Sequence, residues 1–554
     1  MRGTQQSEGQ FNIWHSGSND SYDTMKWIAE QSWSNGLVST TGASADGLNE
    51  FTEVIGQNHP WLRSQFIIFA SSSGYEVAFP GGAARKSLIE LWIGSTVPSQ
   101  APAKIQEVYD HEAPGPWWNV LNGTGNFQNV HFPSVMWAGW YDIFLVGNLI
   151  GTAATTGTSR RYNGYQYQAA PGHTGKSKLV VDPLGHCQAG AKYFPKNTIL
   201  GRVLLPILLA YDMFKEDTTV PEDVKDVTFY VMGADPNEDA GNYWTTLDGF
   251  PAYTATPFYL GTNGNLTTTA PGHAGYSADS YLYNPANPVP SAGGNNLEIE
   301  CGPRAQAAPG SRADVKSYVS APLAEALWVT GPLNAVLHVS SNATDTDFTA
   351  KLVDVYPDGT GRLIQDGIVR MRWRDWQDSD VAKPMVPGKV YEVEVSLWNT
   401  SYVFGPGHRL RVDISSSNFP RFTVNPNNFC PLSNPACAPN ATALNAVHHS
   451  ALHPSRIVLP VVQPADLPAH GVLESSTTAL KARLGASPAF AQYIASRAVR
   501  EGHLEAPAPG LRGGVDADAA ALQAFLALPD AQLAEVATKV MTQLTLDSTL
   551  ARLL

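Results

Sequence analysis

Between Ala335 and Ser415 the chain switches apolar and polar residues with a period of two in five separate runs. They read AVLHVS from Ala335, FTAKLVDVY from Phe348, IVRMRWR from Ile368, YEVEVSL from Tyr391 and LRVDIS from Leu410. Successive side chains of a strand point to opposite faces, so this period buries one face and wets the other, which no helix would do. PDG, PG and PGH turns separate several of the runs. Repeated alternating strands with tight turns between them predict an antiparallel sandwich.

The upstream pattern is different. Up to about residue 235, short apolar runs alternate with stretches of helical spacing, which predicts a mostly parallel α/β layer. Candidate strands are LVST from Leu37, FPSVMWAG from Phe132, KLVVDP from Lys178 and VTFYVMG from Val227. ARKSLIELWI from Ala84 and the run from Val203 to Phe214 are candidate helices. Residues 70–130 hold aromatics, Gly-Gly and Pro without a strand rhythm, as a cap inserted over a site would. From about residue 466 the chain becomes Ala- and Leu-rich, with SPAFAQYIASRAV and PDAQLAEVATKVMTQL each opening on a proline suited to a helix start and APAPGLRGG linking them. At 554 residues the chain is too long for one ordinary core. Three regions are therefore expected: an α/β domain over 1–245 with its cap at about 70–130, a β-sandwich over 246–465, and a helical extension over 466–554. The extension suits packing or a contact between copies in a homo-oligomer.

Charge narrows the partners. A formal net charge of −13 without a Lys/Arg run argues against nucleic acid or an anionic membrane. No apolar run reaches the roughly 18 residues of a spanning helix, and MRGTQQSEG has no signal-peptide core. Cys430 and Cys437 flank PLSNPA, a loop able to close as a disulfide, whereas Cys187 and Cys301 are far apart in sequence. Asn-x-Ser/Thr sequons at Asn19, Asn122, Asn265, Asn342, Asn399 and Asn440 lean toward secretion and leave the compartment open.

The candidate chemistry begins at TTGASADGL, residues 40–48, where Ser44 stands between Gly42 and Gly47. A strand-like run precedes it and a helix-spaced run follows, the setting of a strained nucleophile elbow. The form is G-x-S-x-x-G, with Asp46 where the commoner motif has its last glycine. An activated serine needs a base, and the base needs an acid to hold its tautomer. Asp142 in AGWYD directly follows one candidate strand, and His186 in VVDPLGHC directly follows another. Both lie at strand ends in the required order. Asp182 falls inside its strand and His173 precedes it, so each is less well placed. His448, His449 and His453 in AVHHSALHPS have no Cys or carboxylate beside them and read as structural rather than metal-binding. Trp140 and Tyr141 either wall the pocket or pack under the cap. The reaction implied is acyl transfer on a small ester or amide, with no metal or organic cofactor.

With these residues assembled, the chain resembles the CocE/NonD hydrolases, cocaine-esterase-like relatives of X-Pro dipeptidyl-peptidase, α-amino acid ester hydrolase and glutaryl acylase. RGTQQSEGQF, WIAEQSWSNGLV, GASADG, AGWYD, GHC, DTDFTAKLVDVYPDG, DGIVRMRWR, PGHRLRVDISSSNFPRF and HPSRIVLPV carry the likeness, from residue 2 to about 462. It implies an α/β-hydrolase domain, an inserted helical cap and a jelly roll beside the site. It also implies Ser44 as nucleophile, Asp142 as triad acid, His186 as general base and the Ala45 N–H as an oxyanion donor. Two departures stand out. Ala45 replaces a usual Tyr, and a preceding segment with the first strands and an oxyanion tyrosine is not in this sequence; an extension upstream of Met1 is expected to hold it. Loss of such a donor costs on the order of 3 kcal/mol of transition-state stabilisation. An X-Pro dipeptidyl-peptidase would need carboxylates such as Asp46 or Glu76 for the substrate amine. A catalytically silent binding protein is the reading from another class.

Overall fold

The computed structural model describes residues 2–149, 169–187, 224–234, 240–470, 488–504 and 515–536, with a few short exceptions inside these ranges and a few positions outside them. The apolar runs of the first half form one sheet. Strands β1 (Val38–Ala43), β2 (Leu62–Ile68), β3 (Ser134–Gly139), β4 (Lys178–Asp182) and β5 (Val227–Gly233) pair in that order, all parallel, and β6 (Tyr243–Leu247) closes antiparallel on β5. Every residue of β3 and β5 is buried, as parallel strands covered on both faces require.

β2 carries the apolar run FII, extended by Phe69 and Ala70, but its first half, LRSQ, breaks the pattern and takes Ser64 and Gln65 into the interior. Ser64 Oγ and Gln65 Nε2 are paired there, while Gln65 Oε1 has no partner among the described residues. Ser64 Oγ lies 2.8 Å from Ser39 Oγ, and Gln65 Nε2 donates to Glu50 O at 3.0 Å and Glu53 Oε2 at 2.7 Å. A buried amide with partners costs little, whereas the same group unpaired would be expensive.

Helices α1 (Gly17–Ala29) and α2 (Ala45–Thr52) flank β1. Between β2 and β3 lie α3 (Gly74–Ala78), α4 (Lys86–Thr96), α5 (Ala101–Asp110) and α6 (Pro116–Asn119). They share a core of their own around Tyr75, Phe79, Ile89 and Trp118, joined by Phe11 and Ile13. This is the inserted cap. The candidate helix from Val203 to Phe214 falls largely outside the described residues.

In the second half, Leu327–Ser341 pairs antiparallel with Tyr391–Phe404, Ala443–Ser450 and Arg456–Val461. A facing group pairs Lys316–Ser320, Arg409–Ser415, Asp347–Val355 and Gly361–Arg370. Four of the five alternating runs lie within strands. The fifth, IVRMRWR, leaves the ladder at Arg370 and turns through a 3-10 segment at Met371–Trp373. Asp345 causes the departure: it accepts from Arg372 N at 2.9 Å and Arg372 Nε at 2.7 Å. The candidate histidines are tied to serines, His448 Nε2 to Ser340 Oγ and His449 Nδ1 to Ser277 Oγ, both at 2.9 Å.

Cys187 and Cys301, 114 positions apart, form a disulfide that sequence separation had hidden. Cys430 is also disulfide-bonded, and its expected partner Cys437 lies outside the described residues. In the tail, Pro488–Arg500 and Val515–Leu526 are helices with Ile494, Ala498 and Phe525 buried. The APAPGLRGG linker and most of PDAQLAEVATKVMTQL lie outside the described residues. No helix among the described residues is long and apolar enough to cross a membrane.

Candidate active site

Ser44 stands at the β1–α2 turn with φ 56° and ψ −120°. For a residue with a Cβ that conformation costs about 1–3 kcal/mol and persists only where the surroundings enforce it. Its N–H donates to Ile68 O at 2.9 Å. The flanking glycines allow the approach of strand and helix. A Cβ on Gly42 would stand 2.5 Å from the Asp46 carbonyl carbon, and one on Gly47 would stand 2.6 Å from Ala70 Cβ. The close approach falls on Gly47, which is why Asp46 is tolerated one position earlier. The Ala45 N–H is the first amide of α2.

Asp142, beyond the end of β3, is fully buried. Its Oδ2 accepts from His186 Nδ1 at 2.6 Å and from the His186 backbone N–H at 2.7 Å, while Oδ1 accepts from Phe144 N at 2.8 Å. Gly185 makes room for this pairing, since a Cβ there would stand 2.4 Å from Oδ2. Asp182 shapes the same turn: its Oδ1 accepts from the N–H groups of Leu184 and Gly185 at 2.6 and 2.7 Å, and its Oδ2 from Trp137 Nε1 at 2.9 Å. With the proton of the ring on Nδ1, facing a carboxylate, Nε2 carries the lone pair. That Nε2 is buried and has no hydrogen-bond partner among the described residues.

Ser44 and His186 are thus not hydrogen-bonded to each other, but they share neighbours. The His186 ring lies 5.4 Å from Phe69 and 5.6 Å from Phe144. Phe69 follows Ile68, the acceptor of the Ser44 N–H, and Phe144 lines the cavity that holds Ser44. This cavity, about 90 Å³, is apolar and includes Ala45, Leu48, Trp92 and Leu297 in its wall. A polar cavity of about 350 Å³ adjoins it through Ser71, Val77 and Phe144. Glu76 lines the polar one and Asp46 does not.

Trp140 and Tyr141 do not line the apolar cavity. Both are fully buried, with Trp140 Nε1 donating to Tyr230 O at 2.8 Å and Tyr141 OH to Leu363 O at 2.9 Å. Past β3 the chain turns them toward β5 and the sandwich, and the wall is left to Phe144. Phe144 is two residues past Asp142 and so was within reach of sequence reasoning. Asn295, whose Nδ2 donates to Asp142 O at 2.9 Å, and Arg85, whose Nη1 donates to Ile143 O at 3.0 Å, gave no signal in the sequence. Burial pulls the Arg85 guanidinium down to about 9, with Arg421 adding to the effect and Glu298, Asp366 and Asp142 opposing it.

Comparison with known proteins adds to this geometry. Residues 1–107 match the profile of X-Pro dipeptidyl-peptidase (S15 family), and residues 218–458 match the X-Pro dipeptidyl-peptidase C-terminal non-catalytic domain. The cocaine esterase of Rhodococcus sp. (strain MB1 Bresler) is 31% identical over 526 residues, covering 83% of this chain and 87% of the relative. An α-amino acid ester hydrolase structure superposes with a TM-score of 0.68 at 21% identity, covering 83% of this chain and 84% of that one. A CocE/NonD family hydrolase structure from Staphylococcus aureus gives a TM-score of 0.60 at 17% identity over 83% of this chain and 79% of its own. These structures share the α/β-hydrolase fold followed by an all-β domain.

Proposed function

The chain belongs to the CocE/NonD family of serine hydrolases, and from that premise we propose that it cleaves an ester or amide through an acyl-enzyme formed on Ser44. His186 Nε2 takes the Ser44 Oγ proton as the oxygen adds to the substrate carbonyl. The Ala45 N–H donates to the developing oxyanion. Collapse of the adduct expels the alcohol or amine, to which His186 returns the proton, and water then hydrolyses the ester on Ser44 by the same route. Asp142 holds the imidazole tautomer and stabilises its charged form. These residues supply the nucleophile and every proton transfer themselves.

The observation that carries this reading is the enforced φ of 56° at Ser44, on a strand-to-helix turn that opens onto an apolar cavity. The small, apolar cavity favours a compact hydrophobic acyl group. The test is a fluorophosphonate probe. Labelling is expected in the native chain and in Ser39→Ala, and is expected to vanish in Ser44→Ala; a folded chain that never labels is a binding protein instead.

A second reading, X-Pro dipeptidyl-peptidase action, has support in Glu76, a carboxylate in the polar cavity next to the apolar one. A nitrophenyl ester and a Gly-Pro anilide separate the two. Faster turnover of the ester favours the esterase; efficient anilide cleavage that falls in Glu76→Gln favours the peptidase.

A further inference from the structure

We propose that Glu298, on the loop of residues 294–302 in the second half of the chain, is a positioning residue for His186. The inference rests on the reading of Ser44, Asp142 and His186 given above.

The loop is a built structure. Gly294 and Gly302 close its base by exchanging two backbone hydrogen bonds, each 3.0 Å. Asn296 Nδ2 braces the interior, donating to Gly293 O and Glu300 O at 2.8 Å. The loop sits directly on the Asp366–Arg421 ion pair, since a Cβ on Gly294 would stand 2.8 Å from Asp366 Oδ1 and from Arg421 Nη1.

Both arms are fastened to the triad segments. On one arm, Asn295 Nδ2 donates to the carbonyls of Trp140 and Asp142 at 3.0 and 2.9 Å. On the other, Cys301 is covalently bonded to Cys187, the residue after His186. Such fastening leaves residues 296–300 between them little freedom. Leu297 enters the wall of the cavity that holds Ser44. Glu298 stands with a buried Oε1 that has no hydrogen-bond partner among the described residues.

The charged groups that bear on Glu298 are Arg85 from the cap and His186 from the loop after β4. Asp142 lies behind His186, and Asp366 and Arg421 lie beyond Arg85. Burial lifts the Glu298 carboxyl to about 7, against the pull of its own backbone N–H, Arg85 and His186. An ionised carboxylate within electrostatic reach of the imidazole favours the imidazolium that forms when Ser44 gives up its proton. Such a group raises the rate where it is ionised and moves the low-pH limb of the reaction upward.

The experiment is the pH profile of fluorophosphonate labelling at Ser44 in the native chain and in Glu298→Gln, with thermal unfolding measured alongside. A charge interaction of this kind corresponds to roughly a tenfold rate effect and about one pH unit. Glu298→Gln is therefore expected to label about tenfold more slowly at pH 8 and to shift the low-pH midpoint down by about one unit, with unchanged melting. Glu298→Asp is expected to recover part of both. Slower labelling by the same factor at every pH, or an unchanged profile, overturns the inference while leaving Ser44 as the nucleophile. No labelling of the native chain overturns the reading of the triad and this inference with it. If the Gln variant does not fold, Cys187→Ala with Cys301→Ala unties the loop and keeps the charges. The midpoint is expected to move in the same direction, and an unmoved midpoint overturns the inference.

Discussion

Asp142→Asn removes one charge from the site and changes almost no volume, so its consequence can be worked from the distances. Three N–H groups point at the carboxylate: His186 Nδ1 at 2.6 Å, His186 N at 2.7 Å and Phe144 N at 2.8 Å. An amide offers one oxygen and one NH2 group, so at least one of the three donors must face another donor. Losing a charge-assisted bond in this buried place costs about 2–4 kcal/mol of stability. The effect on rate is separate. Opposite charges centred about 4 Å apart, at an effective dielectric of about 20, attract by about 4 kcal/mol. That attraction is made only when His186 is charged in the transition state, and 4 kcal/mol is about a thousandfold in rate. Hydrolysis of a nitrophenyl ester by Asp142→Asn is thus expected to fall about a thousandfold in kcat/KM, together with a lower melting temperature. A folded variant within tenfold of the native rate would refute the electrostatic argument, because the carboxylate would then not face the charge that develops.

Gly47→Ala is expected to destabilise the chain by about 1–3 kcal/mol and to suppress labelling of Ser44, because its Cβ would stand 2.6 Å from Ala70 Cβ and 2.9 Å from Gly42 O; Gly94→Ala, inside α4 with nothing within 4 Å among the described residues, is the control, expected to leave labelling unchanged and to raise stability by about 0.5–1 kcal/mol in thermal unfolding. Phe144→Ala removes the ring shared by the apolar and polar cavities. At about 0.8 kcal/mol per buried CH2, it is expected to raise the ratio of kcat/KM for hexanoyl over acetyl esters at least tenfold. Burial, with His453, His338 and His449 adding, lowers His448 from 6.5 to about 4. The unfolded chain therefore takes up a proton before the folded one does, and stability is lost as pH falls from about 6.5 toward about 4. Urea unfolding of the native chain and His448→Gln at pH 7 and pH 4.5 checks this, with a smaller loss expected in the variant.

The sandwich was legible because its strands alternate apolar and polar residues, a pattern that needs no knowledge of partners; along Asp347–Val355 and Arg409–Ser415 the polar side is buried too, with Asp354 and Arg411 held in hydrogen bonds. β3, β4 and β5 were legible too, because continuous burial leaves apolar runs. β2 was not among the candidate strands although FIIFA at 66–70 is apolar: Ser64 and Gln65 break the run at its start, and they are interior because Ser39 and Glu53 pair with them. The candidates Ser44, Asp142 and His186 were suggested by each following a strand, since strand ends gather at one rim of a parallel sheet. Trp140 and Tyr141 follow the same strand end, yet their rings turn inward to hydrogen-bond partners at Tyr230 and Leu363, which adjacency to Asp142 could not foretell. The loop at 294–302 was hidden for another reason. Its link to the site is a covalent bond spanning 114 positions and two side-chain bonds from Asn295, all between segments that composition keeps apart.

Trapping an ester substrate on the enzyme tests the account at its centre. Rapid acid quench during turnover of a short-chain nitrophenyl ester, followed by mass spectrometry of the peptides, is expected to find the acyl mass on Ser44, and to find it abolished in His186→Ala. Turnover at full rate with no acyl mass on Ser44, or with the mass on another residue, would contradict it.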